Sequence, residues 1–165
     1  MSKEGTCACE AFAIGDLGPI ADDEPLGRLI FSPEHIGQNG KVKVGAFPLS
    51  HIREKGLSLV RITKVSPELL HQFASALSQL GTATRTPAGY VAFETHVARE
   101  ISLDDGFRAV CVWEDPTPET DKVPRNPAHA NLVANRTINP EDALEIRTKL
   151  LFAENGRDLV VANSN

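Results

Sequence analysis

Two stretches of this chain open with the same three-part signal for the start of a helix. Ser66-Pro67-Glu68 and Asn139-Pro140-Glu141-Asp142 each set a capping side chain, then a proline where the first helical N–H has no partner, then an acid. The first predicts a helix whose buried stripe is Leu69, Leu70, Phe73, Leu77 and Leu80, stopped by Gly81. The second predicts a helix running through Ala143, Ile146, Arg147, Leu150 and Leu151, stopped by Asn155-Gly156.

Between and around these helices the apolar runs have strand length. Leu26 to Phe31 reads as a first strand, closed by Ser32-Pro33, and Gln38-Asn39-Gly40 is a turn signal. Lys41-Val42-Lys43-Val44 alternates basic and apolar residues, which predicts a half-exposed strand. Pro48 to Lys55 reads as a short helix or turn ended by Gly56. Leu57 to Thr63 is apolar on both alternating sets, so it predicts a strand covered on both faces, with Ser58 and Arg61 on opposite sides. Gly89 to Thr95, Phe107 to Trp113 and His129 to Ala134 read as further strands, and Leu159 to Ala162 as a last edge strand. Glu114 to Pro127 carries four prolines and predicts an extended surface loop. Mixed strands with two good helices give an α+β fold: a single mixed or antiparallel sheet with two main helices packed on it, on one face. Residues 1–25 read as an irregular lead-in, tacked to the body by Phe12, Ile14, Leu17 and Ile20, and residues 26–165 as a single domain.

The longest apolar runs, such as Ala109 to Trp113, are far short of the roughly 18 residues a membrane-spanning helix needs. The start, Met1-Ser2-Lys3-Glu4-Gly5, leads into no signal-peptide core, so no membrane association or export is expected. Cys7, Cys9 and Cys111 are an odd set. They read as reduced thiols in a cytoplasm, with Cys7-x-Cys9 two ligands short of a zinc site. The net charge of −5 argues against nonspecific coating of nucleic acid or anionic lipid. Its distribution is uneven. From Pro25 to Val65 there are seven bases against two acids, which makes that stretch +5 and the remainder −10. Such a split gives either one basic face or charges scattered over several.

The motifs of phosphate-binding loops, dinucleotide folds, zinc peptidases and serine hydrolases are absent, and no cofactor is expected. What remains is a set of polar residues at element ends: Arg28, His35, Ser58, Arg61 and His129. Two imidazoles and a guanidinium suffice for a phosphodiester site, because one ring accepts a proton, the other donates one, and arginine stabilises phosphoryl charge. In that reading His35 and His129 are catalytic, while Arg28, Ser58 and Arg61 bind phosphate. The competing reading is structural: arginines buried against acids, and histidines bonded to backbone. His51, His71 and His96 are poorer alternatives.

Arg28-Leu29-Ile30…His35, Ala46-Phe47, Gly56-Leu57-Ser58-Leu59-Val60-Arg61 and Asn126-Pro127-Ala128-His129-Ala130 resemble short patches in small uncharacterised bacterial proteins, a group with no agreed activity. The resemblance covers roughly residues 26–62 and 107–151. It implies a bacterial origin and draws attention to the same five residues, but it implies no mechanism. Asn131 stands where an acid is expected.

Three functions fit. The first is a non-catalytic interaction or regulatory subunit of a bacterial cytoplasmic assembly, whose partner is another protein docking on the Pro-rich loop or an apolar or acidic patch. The second is a small nucleotide- or RNA-directed phosphodiester enzyme with a His/Arg cleft. It requires the two imidazoles to lie within about 10 Å of each other. The third is an anion- or nucleotide-binding sensor that grips its ligand with Arg28 and Arg61.

Overall fold

The computed structural model of the protein describes residues 7–11, 14–153 and 158–161. Both helices start where their caps predict. α1 is Pro67–Ser78, and Ser66 Oγ accepts from the Leu69 N–H at 3.2 Å. A five-residue helix, α2 (Thr95–Arg99), follows later in the chain, and α3 is Pro140–Phe152, where Asn139 Oδ1 accepts from the Asp142 N–H at 2.7 Å. The strands are β1 (Pro25–Ser32), β2 (Leu57–Arg61), β3 (Thr86–Glu94), β4 (Val110–Glu114) and β5 (His129–Ala134). They form one sheet in the order β3-β1-β2-β5-β4, and every pair is antiparallel. The fold is α+β, with its two main helices packed on a single sheet.

The helices divide between the faces of that sheet. In β1, Leu26 and Ile30 join the larger core with Leu57, Leu59, Leu132 and, from α3, Ile146 and Leu150. Leu29 and Phe31 join a second cluster with Val60 and, from α1, Leu70 and Ala74. Side chains alternate across a strand, so these clusters lie on opposite sides. One covered face was expected, but a strand such as Leu57 to Arg61, apolar on both sides, needs cover on both.

Other differences have local causes. Lys41 to Val44 forms no strand: Val42 makes a single bridge to Ile36, and the chain then tightens into a 3-10 turn at Val44–Ala46. The Leu57 strand ends at Arg61 and passes into a 3-10 turn at Ile62–Lys64. β3 stops at Glu94, because Thr95 turns inward to give its N–H and hydroxyl to Glu24 O, at 3.0 and 2.7 Å. β4 begins at Val110, three residues later than the run from Phe107 suggests. Among the described residues of the Leu159–Ala162 segment only Val160 pairs, bridging Tyr90; Ala162 lies outside the described residues, as do Phe12, Asn155 and Gly156. Gly89 makes that bridge possible. It sits at φ +135°, and a Cβ there would run into the Val160 carbonyl.

The thiol reading is corrected. Cys7 and Cys111 form a disulfide with S–S 2.00 Å and Cα–Cα 5.5 Å, and Cys9 is the free cysteine. The bond spans 104 positions, so only the folded chain brings the two together. It also removes one thiolate from the Cys7-x-Cys9 pair. The lead-in is tied down in its described part: Ile20 is in the core, Leu17 packs on the second cluster, and Glu24 is buried. Ile14, by contrast, is exposed. No helix among the described residues is long and apolar enough to cross a membrane.

Candidate functional site

Arg28 sits where the β1–β2 ladder stops. The register pairs Leu26 with Arg61 and Gly27 with Val60, and continuing it would bring Ser58 opposite Leu29. The strands part instead, and the Arg28 side chain fills the gap. Its Nη1 donates to Ser58 O at 3.1 Å and its Nε to Ala46 O at 3.0 Å. A guanidinium has thus replaced the ladder partner of a strand carbonyl. Burial pushes Arg28 down to about 10, the nearby Glu34 charge opposing and Arg85 adding, and it stays protonated at neutral pH. Among the described residues no carboxylate lies within ion-pairing distance of it. Ser58 itself contributes that carbonyl, and its side chain is exposed.

Arg61 is on the opposite face from Ser58 and is held by buried partners. It is 1% exposed, and Glu24 grips it twice, Oε1 accepting from Nε and Oε2 from Nη2 at 2.9 Å. Nη1 donates to Gly18 O at 2.7 Å and lies 3.5 Å from Glu114 Oε2. Glu114 Oε1 meanwhile accepts from the Ile14 and Gly15 N–H groups. The side chain that reads as a phosphate ligand therefore stitches the lead-in to the sheet, and its burial keeps it from the surface.

The histidines are tied in the same way. His35 is buried, and its Nδ1 accepts from the Phe31 N–H at 3.1 Å, so the neutral ring carries its proton on Nε2, 3.6 Å from Glu34 Oε1. Burial lowers its pKa, with Glu34 opposing and Arg28 adding to the effect. His129 Nδ1 lies 2.6 Å from Asp115 O. A carbonyl only accepts, so this nitrogen bears the proton. Burial lowers the His129 pKa as well, the Asp115 backbone and side chain opposing and Arg28 adding.

The ladder sets the distance between the backbone positions that hold the two rings. His129 pairs with Val60 and Val60 with Gly27, whereas His35 folds back on Phe31 at the far end of β1. Four residues at about 3.3 Å along the strand and two strands at about 4.8 Å across separate these backbone positions by roughly 16 Å. The His35 ring stays at the Phe31 N–H, and the His129 ring leans toward Asp115, away from β1. Both rings lie within electrostatic reach of Arg28, and each is held through Nδ1 by a different backbone group, His35 by the Phe31 N–H and His129 by the Asp115 carbonyl.

Sequence reasoning named Asn131 and His51 without the contacts they make, and missed Arg85. Asn131 lies across Gly56, which sits at φ +87°, and its Oδ1 is buried with no hydrogen-bond partner. His51 also feels Arg28, though burial is the larger cause of its lowered pKa. Arg85 stacks on Phe31 with its guanidinium carbon 4.4 Å from the ring centre, and it pairs with Glu34 at 2.8 Å. None of these partnerships has a spacing signal in the chain. Between α1 and β3 lies a cavity of about 170 Å³, lined by Leu29, Leu70, Ala74 and Tyr90 among others, with His71 also in its lining. Its walls are mainly apolar and hold no acid–base pair. Among the described residues no three His, Cys, Asp or Glu side chains group to hold a metal ion. Compared with protein-family models, curated proteins and solved structures, the chain finds no match.

Proposed function

We propose that this protein is a non-catalytic interaction or regulatory subunit of a bacterial assembly, and that its partner is another protein. The observation that carries this reading is the fate of His35 and His129. Each ring is bonded through Nδ1 to backbone within its own neighbourhood, and the backbone positions that hold them lie on different strands of the register. A phosphodiester relay needs one imidazole to take a proton and the other to give one at the same phosphate. A surface reading has support elsewhere: Leu144 and Phe152, eight residues apart on α3, are 48% and 68% exposed, and such apolar side chains on one helix suit contact with a partner. A cytoplasmic location rested on reduced thiols. With Cys7 and Cys111 bonded that support is gone, and no compartment enters the proposal.

The test is turnover. The purified protein, offered cyclic nucleotides, dinucleotides and short RNA, is expected to release no product above a His35→Gln, His129→Gln double variant. Turnover that the double variant abolishes would overturn the reading.

One observation favours the sensor as a second reading. The Arg28 guanidinium is protonated, faces no carboxylate at ion-pairing distance among the described residues, and keeps donors beyond those on Ser58 and Ala46. In that reading Arg28 grips the anion without Arg61, and inorganic phosphate raises the thermal midpoint of the native protein more than chloride of equal ionic strength does.

A further inference from the structure

Val112 lies in the middle of β4, an outer strand of the sheet, and side chains close its outward backbone groups. Its N–H donates to Glu10 Oε1 at 2.7 Å, and its carbonyl accepts from Arg99 Nη2 at 3.3 Å. Glu10 and Arg99 are themselves an ion pair, Nε to Oε2 at 3.3 Å. A carboxylate and a guanidinium thus present an acceptor and a donor where the peptide group of a sixth strand would. Arg108 Nη2 holds the same Glu10 oxygen at 2.6 Å.

The two halves of this plug are anchored differently. Arg99 belongs to α2 and is fixed further by Ile20 O and Asp22 Oδ1, at 2.9 and 2.7 Å. Glu10 rides on a four-residue 3-10 turn, Ala8–Ala11, that contains no buried residue. What fastens that turn covalently is Cys7, three positions before Glu10, through its bond to Cys111, the neighbour of Val112.

We propose that the Cys7–Cys111 disulfide is a redox latch on the β4 edge: its reduction frees the Ala8–Ala11 turn, withdraws Glu10 from Val112 and opens that edge. The reductant is a dithiol. One of its thiolates attacks a sulfur of the bond and displaces the other as thiolate; its second thiol then resolves the mixed disulfide. Cys7 and Cys111 finish as thiols, having gained two electrons and two protons, and the reductant finishes as its own disulfide. Cys9 does not open the latch from within. Burial and the adjacent Glu10 carboxylate push its pKa up, so at neutral pH it remains a thiol rather than the attacking thiolate. The latch stands whether or not the interaction reading holds.

Hydrogen exchange by mass spectrometry on the whole chain tests it, before and after reduction with dithiothreitol, with alkylation to count thiols. Within the first minutes, deuterium uptake across 110–114 is expected to rise roughly tenfold on reduction, while β1 and β3 stay closed. A Cys7→Ser variant should show the same uptake without reductant; if it does not fold, reduction of the folded native protein carries the test alone. Unchanged uptake in β4, equal opening of β1 and β3, or Cys7 and Cys111 both alkylated before any reductant is added would each overturn the latch.

Discussion

The Arg61 guanidinium lies along the Glu24 carboxylate in a two-point contact that is almost wholly out of solvent, joining β2 to the segment that precedes β1. Two charges taken from water are tolerable only while each satisfies the other. Truncating Arg61 leaves Glu24 buried without its counter-ion, and truncating Glu24 leaves Arg61 only Glu114 at 3.5 Å and the Gly18 carbonyl. Glu24→Ala and Arg61→Ala are each expected to destabilise the fold by about 3–5 kcal/mol. The double variant should lose less than the sum, by a coupling of about 0.5–3 kcal/mol. Urea denaturation of the four proteins measures this, and strict additivity would mean the pair contributes nothing as a pair.

Gly56 ends the π-helical turn His51–Lys55 at φ +87°, with the Asn131 amide against its α-carbon. An alanine there meets both a disfavoured backbone region and an occupied space. Gly56→Ala is expected to cost more than about 1 kcal/mol. Gly45→Ala, which meets nothing within 4 Å, serves as the control and should be close to neutral. Equal effects would show that the Gly56 geometry is not enforced.

Acid should weaken the fold through its buried histidines. Burial lowers the pKa of His35, His51 and His129, so the unfolded chain binds these protons at a higher pH than the folded one does. Stability is therefore intact above the unfolded histidine value of about 6.5 and falls as pH drops below it. Thermal midpoints at pH 7.5, 6.5 and 5.5 should decline in that order. His35→Asn keeps an acceptor for the Phe31 N–H and removes one titrating ring, so its decline should be shallower. A flat profile would contradict the burial argument. The Glu34 carboxyl, held down chiefly by its hydrogen bond from Arg85, acts in a separate and lower window, losing its contribution below about pH 4.5.

Arg28 is expected to matter for folding as much as for any ligand. Arg28→Met removes the donors to Ser58 O and Ala46 O where the ladder parts, and should cost about 1–3 kcal/mol. Arg28→Lys, with a single ammonium in place of a fork, should recover only part of that. Full recovery by lysine would mean that charge alone, not the two-point contact, holds the site.

The local grammar of the chain carried most of the fold. Ser66 and Asn139 cap their helices as their flanking prolines and acids imply, because such signals act within three residues. The apolar pattern of Leu57 to Arg61 already implied a strand buried on both sides, although the helices were expected on one face. What lay beyond reach was long-range. No spacing tells Cys7 from Cys9 as the partner of Cys111, 104 positions away, and nothing marks Glu24 as the counter-ion of Arg61, 37 positions on. The candidate site was legible only as a choice of residue types. For Arg61 the same sequence fits a phosphate ligand and a buried ion pair, and only the position of Glu24 separates them. Lys41 to Val44 shows the opposite failure: a clean alternation that pairs at one residue because no neighbouring strand runs beside it.

The central claim is that this protein works by binding another protein. Native mass spectrometry of the chain, purified gently from its own cells, tests it most directly. The account predicts a stoichiometric second polypeptide on the 17.8 kDa chain. A bare chain, or a chain carrying only a nucleotide or other small anion, would contradict it.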